Sequence, residues 1–141
     1  MSGISPKLPV QRDESDGYAL TKTYTQSTLQ NLKNLLLTVP GERMMDPLFG
    51  VGMNRYLFEM QSTATYSNIY SKTTQQVERY MPFVEIDDMV FFGPEGIWSA
   101  VNGPIETAKE IYADPNTLQI KVFLTIVPLG KQTTLSLDVK V

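Results

Sequence analysis

Glu42, Asp46 and Glu59 lie close enough in the chain to supply the two carboxyl groups that a glycosidase sets on either side of a sugar. Glu85, Asp87 and Asp88 form a second acidic group that could hold a divalent cation through oxygen alone. Little other chemistry is available, because the chain contains neither cysteine nor histidine. That removes the thiolate nucleophile, the disulfide, the commonest general base and the commonest metal ligand. No serine stands in a Gly-x-Ser-x-Gly elbow, and there is no phosphate-binding loop or dinucleotide fingerprint. Gly50-Val51-Gly52 lacks a third glycine and follows no strand, so it reads as backbone freedom. Any acidic chain offers carboxylates, and local context gives these ones structural work. Glu42 beside Arg43 in a turn suits structural hydrogen bonds or a salt bridge. Asp46 before Pro47 suits a cap or turn. Acidic residues at a strand irregularity are most often solvated. No catalytic residue, cofactor or metal is therefore expected.

Composition narrows the partners. The net charge of −3 comes from a balanced mixture without a basic block, which argues against nucleic-acid binding. No apolar run approaches a membrane span, and the opening MSGISPKLPVQRDESDG lacks the apolar stretch of a signal peptide. Synthesis and retention in a reducing cytosol are expected. A chain of 141 residues is most simply one domain, able to bury roughly two thirds of its unfolded surface.

The elements that must position these residues follow from periodicity. Residues 1–20, with Pro6, Pro9 and Gly17, read as an extended arm. Thr25 or Ser27 caps a helix to about Thr38, with Leu29, Leu32, Leu35, Leu36 and Val39 on one face. Ser62 or Thr63 caps a second helix over about 64–81, ended by Pro82. Its stripe is Tyr66, Ile69, Tyr70, Thr73, Val77, Tyr80 and Met81. Val84–Phe92 is a strand whose alternation slips near Asp88, as a bulge would require. Gly93–Asn116 carries three prolines and three glycines, which exclude unbroken secondary structure. It reads as an inserted loop with a helical turn or two over Ile105–Tyr112. Thr117–Val127 and Thr133–Val141 alternate apolar and polar residues around Pro128-Leu129-Gly130-Lys131, giving a β-hairpin. The fold class is α+β: two helices on one face of an antiparallel sheet of three or so strands, occupying residues 21–141.

Between the helices, Thr38–Glu59 is too apolar for an ordinary loop and must pack on its own domain or on a partner. Leu36-Leu37-Thr38, Pro40-Gly41-Glu42-Arg43, Asp46-Pro47, Phe49-Gly50 and Leu57-Phe58-Glu59 come in an order that resembles the small baseplate wedge proteins of contractile phage tails. The baseplate subunit of type VI secretion systems belongs to the same family. The resemblance runs from about Leu35 to the C-terminus. It implies a structural subunit of the virion tail baseplate, assembled in the host cytoplasm. Its implied partners are other wedge proteins and the tail sheath, with tube or hub proteins as further candidates. It also implies a C-terminal sheet that templates the first sheath ring by strand addition, with Leu135, Leu137 and Val139 on the hairpin. Gly41, Glu42, Arg43, Asp46, Pro47, Phe49, Gly50 and Glu59 become candidate partner-binding residues. Many members carry Glu-Pro-Arg after the second helix. This chain has Met81-Pro82-Phe83, so the charged grip gives way to an apolar contact or to core packing. Gly93–Asn116 is longer than is usual in the family, which implies an added interface loop with Trp98 as its anchor. Some members are labelled lysozymes. A tail-associated peptidoglycan hydrolase and a generic adaptor stand as the alternatives.

Overall fold

The N-terminal segment, expected as an extended arm, doubles back on itself. In the computed structural model, which describes residues 3–93, 96–105 and 117–140, Ser5–Pro6 (β1) pairs with Leu20–Thr21 (β4). Inside that loop Arg12–Asp13 (β2) pairs with Gly17–Tyr18 (β3). The next helix grips the loop through one amide. Gln30 accepts from the Leu8 N–H at 3.0 Å and donates to the Pro6 carbonyl at 2.9 Å.

That helix, α1, spans Tyr24–Leu37. Its cap is Thr23, two residues before Thr25 and four before Ser27, and its hydroxyl accepts from the Gln26 N–H at 3.2 Å. Thr25 and Ser27 lie inside the first turn instead, where Ser27 is buried. The second helix, α2, spans Thr63–Tyr80 behind the expected cap Ser62. It stops before Pro82, which has no N–H to continue the ladder.

Five strands form the main sheet, rather than three or so. They are β5 (Val84–Gly93), β6 (Gly96–Ser99), β7 (Gly103–Ile105), β8 (Thr117–Ile126) and β9 (Lys131–Lys140). Their order is β7-β6-β5-β8-β9, antiparallel throughout. The two additional strands arise within the stretch expected as an inserted loop. Gly96 and Gly103 take positive φ there, where β6 returns along β5 and β7 returns along β6. Of the helical turn expected over 105–112, Ile105 lies in β7 and the remainder is outside the described residues. The bulge near Asp88 is present as a register shift between Ile86 and Asp88.

Both helices share a core with one face of this sheet. Leu32, Leu35 and Leu36 from α1 and Ile69 and Val77 from α2 meet Met89 and Phe91 of β5. Leu118, Ile120, Val122, Leu124 and Ile126 of β8, with Leu137 and Val139 of β9, complete it, as the period-two pattern requires. Each fully buried aliphatic side chain contributes about 1.5–3 kcal/mol. Tyr66 stacks on Phe91 at 4.7 Å between ring centres, and Trp98 lies 5.7 Å from both rings.

Candidate interaction site

The connector from Thr38 to Glu59 is built first from its own backbone. Val39 and Glu42 cap each other: the Glu42 N–H donates to the Val39 carbonyl, and the Val39 N–H donates to a Glu42 carboxylate oxygen, both at 3.1 Å. The Gly41 N–H closes the turn onto the Pro47 carbonyl at 2.9 Å. These bonds leave Pro40 to Phe49 as a self-contained loop that needs an external anchor.

Helix α2 supplies that anchor. Gln76, buried in its inner face, accepts from the Gly50 N–H at 3.0 Å and donates to the Leu48 carbonyl at 3.1 Å. One turn on, the Tyr80 hydroxyl donates to Asp46 at 3.0 Å. Phe49 meets the Tyr80 ring edge-on at 4.9 Å, and the Arg43 guanidinium lies 3.8 Å over the other aromatic partner, Phe49. Desolvation, followed by the bond to Asp46, pushes the Tyr80 phenol above its ordinary pKa and keeps it a donor. Gly50 sits at φ 111°, and a Cβ there would lie 2.1 Å from the Thr38 carbonyl oxygen. Beyond it, the Val51 N–H bonds the Leu35 carbonyl at 3.1 Å, and Met53 is fully buried. A 3-10 helix, Met53–Phe58, leads out to Glu59.

The anchored connector and the residue that follows it leave several large apolar side chains in water, while Tyr56 and Leu57 pack against the core. Met44, Met45, Phe58 and Met60 are 94%, 98%, 81% and 86% exposed, and Leu48 is exposed as well. Large flexible thioethers in water mark surfaces that meet other molecules. The carboxylates expected to have structural roles have them. Glu42 caps Val39 and Asp46 receives Tyr80. Glu59 is exposed beside Tyr56, whose phenol is raised by burial and then by that carboxylate. Among the described residues, no three acidic side chains come together to hold a metal ion. Asp88 instead organises the sheet, accepting from the Met89 N–H at 2.7 Å and the Ser99 hydroxyl at 2.6 Å.

The other candidate residues fall elsewhere. Met81 is buried in the core, whereas Pro82 and Phe83 are exposed. Trp98 is half-buried against Tyr66 and Phe91. Leu137 and Val139 point into the core and Leu135 is half-buried, so β9 offers a neighbour its backbone rather than these side chains. All ten residues of β9 pair with β8, from Lys131 opposite Ile126 to Lys140 opposite Thr117. On its other side, among the described residues, β9 has no strand and no backbone hydrogen bond. Gln76 has only a faint mark in the sequence. Its signal was an amide inside an otherwise apolar helical stripe, between Thr73 and Tyr80.

Exposed apolar side chains and, among the described residues, an unpaired strand margin are features of surfaces that meet other chains. A sequence profile of the family described as baseplate wedge protein gp25 matches residues 22–92, just over half of the 141, and the chain belongs to that family. It is thus a baseplate component of contractile, phage-like tails. Its fold is shared by solved structures, these two among them. One is a Geobacter sulfurreducens protein provisionally described as a tail lysozyme, 18% identical, with a TM-score of 0.61 over 87% of this chain and 96% of that one. The other is from the baseplate of the anti-feeding prophage, 20% identical, with a TM-score of 0.61 over 86% of this chain and 83% of that one. No curated protein matches at a significant level.

Proposed function

We propose that this chain is a non-enzymatic wedge subunit that joins the wedge to the tube and sheath and templates the first sheath ring. The observation that carries the reading is the margin of β9, which among the described residues has no strand beside it. A ten-residue strand at a sheet edge presents a row of unpaired N–H and C=O groups. A strand from a tail sheath subunit extends the sheet there through main-chain hydrogen bonds. The connector supplies the second contact. Met44, Met45, Leu48 and Phe58, held out by the Gln76 anchor, bury against other wedge proteins, with Gly41, Arg43 and Pro47 setting the shape of the turn. Phe83 adds an exposed apolar contact where the family's charged grip stands in other members. Assembly takes place in the host cytoplasm.

Proline substitution tests the edge. Along a strand, consecutive N–H groups alternate in direction, so Thr133 and Thr134 present one to β8 and one to the free side. Proline at the outward position should leave the fold intact and abolish sheath attachment. Normal sheathed tails from both variants would refute strand addition. For the enzymatic alternative, purified protein is mixed with a cell-wall suspension, and clearing of that suspension would overturn the non-enzymatic reading.

A further inference from the structure

A groove of about 450 Å³ runs between the C-terminal half of α2 and the start of β5. Its floor is apolar: Val77 and Val84 belong to the core, and Pro82 and Ile86 continue the surface outward. Its rim is acidic, formed by Glu78, Glu85 and Asp87, and among the described residues no basic side chain lines it. None of the three carboxylates has an ion-pair partner among the described residues, where the ion pair found is Lys22 with Asp16 at 3.7 Å. The nearest cation in sequence, Arg79, turns toward the Tyr80 ring, 5.4 Å from its centre. Asp87 is held at the rim by the Thr125 hydroxyl, which donates to one carboxylate oxygen at 2.7 Å. Three uncompensated negative charges around an apolar trough are complementary to one kind of occupant.

We propose that this groove receives a segment of a partner protein that alternates apolar side chains with arginine or lysine. The apolar side chains cover Pro82 and Ile86, and the cations meet Glu78, Glu85 and the remaining oxygen of Asp87. Facing charges of this kind speed encounter and fix register more than they add raw affinity. The inference rests on the reading of the chain as an assembly component, but not on the β9 edge. The two surfaces are separate, because the groove lies at α2 and β5 and the edge on β9.

The test uses the full-length protein and a short synthetic peptide alternating leucine with arginine, followed by amide chemical shifts. The expected result is perturbation of Thr74–Asp87 and affinity that falls with added salt. A Glu78→Lys, Glu85→Lys double variant, altering two exposed positions, should bind about tenfold or more weakly while keeping its circular dichroism. A leucine–glutamate peptide should leave the groove unmoved. Equal binding of both peptides, or binding unchanged in the double variant, would overturn the proposal. Shifts confined to Lys131–Lys140 would also overturn it, while leaving strand addition at the edge standing. Groove shifts in a protein whose β9 proline variant still assembles sheath would uphold the groove and sink the edge.

Discussion

The connector and the C-terminal hairpin, the two surfaces proposed to meet neighbours, are held in opposite ways. The β8–β9 hairpin is a ladder in which every residue of one strand faces a partner on the other. Its stability is spread over many equivalent backbone bonds and over side chains that need only be apolar on the inner face. The connector has no ladder. Its place is set by Gln76, by Tyr80 with Asp46, and by a glycine that tolerates contact with Thr38. The difference teaches where single substitutions do damage. Distributed order absorbs them, whereas order routed through a few side-chain contacts does not.

The largest break should come from Gly50→Ala. The new Cβ meets the Thr38 carbonyl at 2.1 Å in a backbone conformation that favours glycine. A loss of about 3–5 kcal/mol is expected from the shift in urea midpoint. Gln76→Ala comes next. It leaves the buried Gly50 N–H without its acceptor and the Leu48 carbonyl without its donor. The expected cost is about 2–3 kcal/mol. Hydrogen exchange should accelerate at Gly50 while the β8–β9 amides keep their protection; equal acceleration in the hairpin would dissolve the contrast between the regions.

Thr73→Val sharpens the comparison in the other direction. Thr73 is fully buried and its hydroxyl has no hydrogen-bond partner among the described residues. Replacing that hydroxyl with a methyl group should stabilise the protein by about 1 kcal/mol, read as a raised Tm. The smallest effect is a pH response. Because the Tyr80 pKa is raised in the folded chain, the folded state holds this proton more tightly than the unfolded one. Its contribution is complete below the ordinary tyrosine value of about 10 and is lost as pH rises through the raised value. Fluorescence or exchange at the connector should therefore show alkaline loosening that is absent in Tyr80→Phe.

Legibility in the sequence followed the range of the forces involved. The hairpin, α2 with its Ser62 cap and the bulge at Asp88 were all readable, because period, cap chemistry and a broken alternation are local signals. The start of α1 is not legible, since Thr23, Thr25 and Ser27 are equally able caps and the burial of Ser27 and Thr28 is a tertiary property. Strands β6 and β7 were missed. They are too short to show a period, and they exist because β5 offers β6 a partner, β6 offers one to β7, and Asp88 ties Ser99 in place. The structural roles of Glu42 and Asp46 were legible as turn chemistry, but Asp46's partner Tyr80 was not.

The sequence by itself determined that this is an α+β chain without thiol or imidazole chemistry, with an apolar connector and a terminal hairpin. Those properties depend on residue types and near-neighbour spacing. Only the tertiary structure decided which faces remain for partners. Gln76 reaches Gly50, β9 becomes the sheet's edge, and Glu78 comes to share a groove with Glu85 through contacts between distant parts of the chain. Such contacts depend on how helices settle on a sheet, and no local pattern of residues encodes that.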